Sequence, residues 1–295
     1  MEIKTVEFEE HKWAFLEVPW IINQDDHNWI PPLNQEVERI FDPDQNPLFK
    51  LGEARRWVLY DGSRLLGRIA AFDHPKYLSS KSPRSGGIGF FDCVNDQKAA
   101  NQLFDTAIDW LKQRGVSYIE GPINFGEKDR FWGLLTEGFH EPAYGMNYNP
   151  TYYRDLFENY GFKPHYHQYT YERPLTKELS PAYQEQVKEV QRNPNYEFHP
   201  IDSQNLETYA KHFQHIYNRG WEYQKGLHFI TEKQALEIFR SLDPVLIPDL
   251  IWFGYYRGTP VAFFIMVPDL NQIFKYFRGR FGWWERLKLR YHQWR

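Results

Sequence analysis

Cysteine is nearly absent: Cys93 is the only one in 295 residues, so no disulfide can form within the chain. Its surroundings, Phe90-Phe91-Asp92-Cys93-Val94, read as a buried strand, the usual setting of an inert thiol rather than a nucleophile. No apolar run approaches the ~18 residues that a membrane-spanning helix needs. The start, Met1-Glu2-Ile3-Lys4, lacks the apolar stretch of a signal peptide, so a cytoplasmic protein is expected. An excess of basic charge is missing too. Lys and Arg number 35 against 39 Asp and Glu, and a net charge of -4 removes any general attraction to nucleic acid. There is no Gly-x-Ser-x-Gly elbow and no Walker sequence. Gly86-Gly87-Ile88-Gly89 precedes a strand rather than a helix, which makes it a turn and not a phosphate loop. His165 and His167 share a face of an expected strand, but no third or fourth ligand has matching spacing, and no metal is expected.

Aromatic residues are abundant instead, at 18% of the chain: Trp 11, Tyr 20 and Phe 23. Each buried ring removes roughly 150–250 Å² from water, so a core is easily filled and some rings are left to line a groove. Hydrophobic residues at 42% and charged residues at 25% are ordinary for a globular chain.

Alternation over residues 2–8 predicts a strand, and an aromatic-rich helix is expected from His11 to Ile22. Trp57-Val58-Leu59-Tyr60 and Gly67 to Phe72 form a hairpin across Asp61-Gly62-Ser63. Ile88 to Cys93 is a further strand. Asp96 can cap the helix that follows, where Leu103, Phe104, Ala107, Ile108 and Leu111 fall on one face and Gly115 ends it. Val116 to Ile119 is then a parallel neighbour of the preceding strand. Asn149-Pro150 is expected to open a helix ending at Gly161, and His165 to Tyr171 a last strand.

After a helical linker at 174–195 the pattern begins again. Tyr196 to Ile201 is a strand, Leu206 to Arg219 a helix, and Thr231 with Gln234 a capping box for a helix to Leu242. Trp252 to Tyr256 and Pro260 to Ile265 form a second hairpin around Arg257-Gly258-Thr259. Trp57-x-x-Tyr60 and Trp252-x-x-Tyr255 stand about 195 residues apart, an offset that suits a duplicated domain. The expected units are 1–173 and 196–295, the second lacking its C-terminal half.

Strand, helices, hairpin, strand, helix, strand, helix, strand is the element order of the GNAT acyltransferase fold. Gly67-Arg68-Ile69-Ala70-Ala71, Gly89 to Cys93, Gly121-Pro122-Ile123-Asn124-Phe125-Gly126, Gly145 to Pro150 and Pro268 to Gln272 resemble a bacterial family of tandem GNAT proteins of uncharacterised function. The resemblance implies an α/β fold of two tandem GNAT-like mixed-sheet units. It also implies transfer of an acyl group from acyl-CoA or acetyl-CoA to an amine, either a small molecule or a lipid-like acceptor. The alternative is a non-catalytic or self-associating module that binds a ligand in an interdomain cleft. GNAT enzymes cradle the pyrophosphate of CoA in a Gly-rich loop before a helix. Here that place reads Val94-Asn95-Asp96-Gln97-Lys98-Ala99-Ala100, with no glycine and with an acid where phosphate would sit, so ordinary CoA binding there is not expected.

The segment from Gly121 to Asn149 is too long for a casual connection. Glu127 or Asp129 in it can act as a general base, with Asn124, Asn147 and Tyr148 binding a polar substrate in a cleft between the units; a structural loop satisfying its own backbone is the alternative. Asp269 and Asn271 follow the second hairpin and face the acceptor site in the GNAT reading, although Pro268-Asp269 also begins turns. Trp221 lies where such folds shape the acceptor pocket. From 275 to 295 the bases are Lys275, Arg278, Arg280, Arg286, Lys288, Arg290 and Arg295, against Glu285 alone. Trp283, Leu287, Tyr291 and Trp294 can share a helix face there, which fits a membrane surface or, the expectation drawn from the duplication, a helix packed on a sheet. An unfinished second sheet would also leave an edge through which two copies could form a homodimer.

Overall fold

The computed structural model describes residues 1–74, 84–126, 130–222, 229–242 and 245–294, without the side chains of 290 and 292–294. They form two compact units: Met1–Tyr166 together with Asp269–Arg295, and His167–Pro268. Residues 269–295, expected to continue the second unit, thus pack with the first.

Unit 1 is built on a five-stranded sheet in the order β1-β2-β3-β4-β5. β1 (Glu2–Thr5), β2 (Glu53–Asp61), β3 (Arg64–Asp73) and β4 (Ser85–Cys93) pair antiparallel, and β5 (Tyr118–Glu120) joins β4 in parallel. Side chains alternate between its faces. Trp57, Leu59, Ile69 and Ala71 enter one buried cluster, while Val58, Ala70 and Phe72 enter another. The first cluster is closed by α3 (Gln97–Lys112) and α4 (Tyr153–Tyr160), the second by α1 (Glu9–Ile22) and α2 (Asn34–Ile40).

The long helix α3 forms as its spacing predicts: Leu103, Phe104, Ala107 and Leu111 are fully buried along one side. Two expectations fail, one in this unit and one where it passes into unit 2. Asn149 does not cap α4, because its side chain accepts from the Leu135 N–H at 2.8 Å and donates to the Leu135 carbonyl at 3.2 Å, and the helix starts at Tyr153. His165 to Tyr171 form no strand; Tyr169 and Tyr171 are 70% and 87% exposed, and no described strand pairs with the segment. Aromatic alternation gives a strand only where a neighbour completes the ladder.

In unit 2, α5 (Pro181–Arg192) occupies the expected linker. β6 (Tyr196–Pro200), β7 (Ile251–Tyr256) and β8 (Thr259–Ile265) make a three-stranded antiparallel sheet in the order β6-β7-β8. α6 (Leu206–Trp221) and α7 (Glu232–Leu242) lie between β6 and β7 in the chain and bury Phe213 and Phe239 against Phe253. The capping box is present, with Gln234 N–H donating to Thr231 Oγ1 at 3.2 Å and Thr231 N–H to Gln234 Oε1 at 2.9 Å.

The order β6-α6-α7-β7-β8 repeats β1-α1-α2-β2-β3. The repetition extends to an irregularity: the ladder shifts register between Leu59 and Tyr60, and again between Gly254 and Tyr255. The two hairpins thus carry a β-bulge at the same place in the Trp-x-x-Tyr motif.

The last stretch, α8 (Asn271–Phe274) and α9 (Trp283–Trp294), is tied to unit 1 by the Asn34 N–H donating to the Gly279 carbonyl at 2.8 Å and by Lys275 paired with Glu141 at 3.0 Å. Among the described residues no helix is long and apolar enough to cross a membrane.

Candidate functional site

β4 carries one residue more than β3 where they pair. Arg68 faces Asp92, but Ala70 faces Gly89. The extra residue is absorbed at Phe90, whose φ is +48°. Just before it, Gly89 lets another segment come close: a Cβ there would stand 1.7 Å from the Ile123 carbonyl oxygen. That approach allows the Ile123 N–H to donate to Ile88 O at 2.7 Å, after which the chain leaves β4.

A cavity of about 170 Å³ occupies this part of unit 1. Phe90, Phe91 and Asp92 of β4 line it, facing segments 130–134 and 144–149. Trp29 and Phe274 add further aromatic wall. Phe131, with φ +54°, is the second strained aromatic here, and its ring centroid lies 5.2 Å from that of Phe90. The other positive-φ residues that are not glycine, Arg257 and Arg278, each precede a left-handed glycine in a turn. Phe90 and Phe131 have no such neighbour, and strain of this kind gathers at functional sites.

Charged groups interrupt the aromatic wall. Arg68 Nε donates to Asp92 Oδ2 at 2.7 Å and its Nη1 to the Phe15 carbonyl at 2.7 Å. The other Asp92 oxygen accepts from the Tyr153 hydroxyl at 3.1 Å, and that hydroxyl accepts from the Cys93 N–H at 3.0 Å. Farther along the wall, Glu36 Oε1 accepts from Arg130 Nη1 at 2.6 Å and from the Tyr144 hydroxyl at 2.5 Å. Burial, then the Glu36 carboxylate, raise the Tyr144 phenol well above its ordinary range, so it remains a donor at neutral pH. Two polar atoms of these groups take no hydrogen bond from a described residue: Glu36 Oε2, an acceptor, and Arg68 Nη2, a donor. The sequence reading did not single out Arg68, Asp92, Glu36 or Tyr144, whose partners lie far away in the chain.

Asn147, Tyr148 and Asn271 line this same cavity. Tyr148 donates to Asp26 Oδ2 at 2.7 Å, and burial followed by that carboxylate pushes its phenol up to about 12. Asn271 is buried and donates to the Pro142 carbonyl at 2.8 Å. Asn124 and Asp269 stand one step back. Asn124 donates to the Arg130 carbonyl, and Asp269 Oδ1 accepts from the Tyr144 N–H at 2.8 Å, so each fixes a residue of the wall. Trp221 belongs to unit 2, at the end of α6. Glu127 and Asp129 lie outside the described residues. The segment expected to line a cleft between units therefore lines a cavity whose walls all belong to unit 1. No cluster among the described residues could hold a metal ion.

The start of α3 does not fit a pyrophosphate. Asp96 Oδ1 accepts from the Lys98 N–H at 2.7 Å and the Ala99 N–H at 3.4 Å, taking the donors that an anion would use and adding a negative charge there.

No family model matches the chain. It is 27% identical over 274 residues to the Bacterial ceramide synthase of Caulobacter vibrioides (strain NA1000 / CB15N), an alignment covering 91% of this chain and 71% of that protein. It is 27% identical over 278 residues to Protein YghO of Escherichia coli (strain K12), covering 92% of this chain and 70% of that one. A solved structure, the GCN5-related glucosamine N-acetyltransferase region of a fungal multi-domain GH3 beta-N-acetylglucosaminidase, aligns with a TM-score of 0.44 at 10% identity, over 89% of this chain and 27% of that one. Unit 1 follows the GNAT element order as far as α4, with four antiparallel strands and a parallel fifth but, among the described residues, without the final strand, and the order of unit 2 matches the first half of unit 1.

Proposed function

We propose that unit 1 binds an amine carrying a long apolar tail and that the chain acts as an acyltransferase on this acceptor, with acyl-CoA as the donor. The observation that carries the reading is the cavity itself: an aromatic wall that Glu36 and Arg68 also line, each with one polar atom that makes no hydrogen bond to a described residue. A primary amine reaches neutral solution as an ammonium ion, which an aromatic wall attracts and a carboxylate holds. In this reading Glu36 Oε2 accepts that hydrogen bond and then the proton, while Oε1 stays fixed by Arg130 and Tyr144. Arg68 Nη2 meets an oxygen next to the amine. Phe90, Phe131 and Trp132 take the tail. The GNAT-like order of unit 1 supports acyl transfer as the reaction class, and the likeness to a protein named ceramide synthase supports a lipid-like acceptor.

The closed start of α3 favours a second reading, a binding unit without catalysis, since the usual seat of the donor's phosphates is taken by Asp96. Incubation with a long-chain amine and a long-chain acyl-CoA separates the two. Amide formed in step with free thiol supports transfer. Amine binding without amide leaves the binding reading alone, and neither result removes both.

A further inference from the structure

Among the described residues, α9 is anchored through Glu285 and Leu289. Glu285 Oε2 accepts from the Gly282 N–H at 2.9 Å and closes the first turn. At about 100° per residue, Leu289 falls on the same side as Glu285, and it packs with buried Leu33, Phe274 and Phe277 of unit 1. The helix is packed, but not on a sheet as expected, and it uses the opposite side from the tryptophans. Trp284, Leu287 and Tyr291 recur at the spacing of one helix stripe, with Trp283 beside them. They are 68%, 42%, 53% and 66% exposed, respectively. Trp283, Trp284 and Leu287 together are costly to leave in water and call for an occupant.

Charge identifies the occupant. Arg286 and Lys288 are exposed and lie on either flank of the stripe, and Arg278 and Arg280 are exposed in the segment leading to the helix. None of the four makes an ion pair with a described residue. Residues 275–295 hold seven bases against one acid, a surplus of six on a chain whose net charge is -4, so the remainder carries a net charge of -10. An anionic surface repels most of this protein and attracts one face, and on that face the attracting charges frame the aromatic stripe. Tryptophan prefers the headgroup level of a bilayer, and flanking bases reach the phosphates when the stripe points inward.

We propose that α9 and the segment before it form a docking surface for an anionic lipid bilayer, with Trp283, Trp284 and Leu287 in the interface and Arg278, Arg280, Arg286 and Lys288 against the phosphates. α9 contributes no residue to the cavity, so this inference stands or falls apart from the acceptor reading.

Sedimentation with vesicles tests it, using neutral phosphatidylcholine and mixtures with phosphatidylglycerol. The chain should partition to the anionic vesicles at least about tenfold better than to the neutral ones, and the preference should fade as salt shortens the screening length. The double variant W283A/W284A should lose about tenfold or more of the binding while keeping the wild-type melting temperature. R286E/K288E should lose the preference for anionic lipid. Equal binding to both vesicle types, or binding untouched by the tryptophan changes, overturns the proposal. So does self-association by light scattering that depends on Trp283 and Trp284 while vesicles remain unbound.

Discussion

Arg68 and Asp92 face each other directly across the β3–β4 ladder, one residue from the bulge, and are joined at 2.7 Å with side chains only 6% and 14% exposed. Removing one member leaves a buried charge without its partner. Arg68→Ala or Asp92→Ala should each cost about 3–5 kcal/mol, and the double change Arg68→Met with Asp92→Leu should cost less than the sum of the single ones. Urea unfolding curves check this. Additive losses would show that the pair is not coupled.

Tyr153 joins the same cluster from α4, accepting from Cys93 N–H and donating to Asp92. Burial, and then the Asp92 charge, hold its phenol far above the ordinary value, so the hydroxyl keeps its proton at any pH the fold tolerates. Tyr153→Phe strands a buried N–H and should cost about 1–3 kcal/mol with no new pH dependence below pH 8. Thermal unfolding of the variant across that range is the check.

Burial, followed by the charges of Asp96 and Asp92, pushes the Cys93 thiol up to about 12. At pH 8 the native thiol should react with iodoacetamide about three orders of magnitude more slowly than a free cysteine, and normally once the chain is unfolded. The stability effect follows the same shift. Below about pH 8.5 the thiol is protonated in both states; above it the unfolded chain ionises first, so stability falls as pH rises toward the native value. Fast labelling of the native protein at pH 8 would contradict the buried placement.

In unit 2, burial and then the nearby His215 lower the pKa of His212, whose Nδ1 lies 3.0 Å from the Tyr255 hydroxyl. A lowered native value means that the unfolded chain takes up the proton first as pH falls below about 6.5. The unit should lose stability on acidification from there, and His212→Gln should flatten that slope. Unfolding midpoints measured between neutral and mildly acidic pH decide it; an unchanged slope in the variant would assign the loss to other groups.

Local chemistry made much of the fold legible. The two hairpins, the apolar face of α3, the parallel crossover to β5 and the Thr231–Gln234 cap are all written within short windows, where period and turn residues act. The repeated element order was readable from two Trp-x-x-Tyr hairpins, and both ladders shift register at the last residue of that motif, Tyr60 and Tyr255. The cavity was half legible. Asn147 and Tyr148 stood out because their segment is long and polar. Glu36 did not, because it meets Tyr144 across 108 positions and no local pattern marks such a pair. The return of 269–295 to unit 1 was hidden for the same reason: it depends on Asn271 reaching the Pro142 carbonyl and on Leu289 reaching Leu33, which only the folded chain brings together.

The most direct test of the acceptor reading is a calorimetric titration of the whole chain with a long-chain primary amine, kept below its aggregation threshold, beside the alcohol of equal length. Saturable binding of one amine per chain, weakened about tenfold or more by Glu36→Gln while the weaker binding of the alcohol is unchanged, is the predicted result. Equal affinity for amine and alcohol, or amine binding indifferent to Glu36, would contradict the assignment of the cavity.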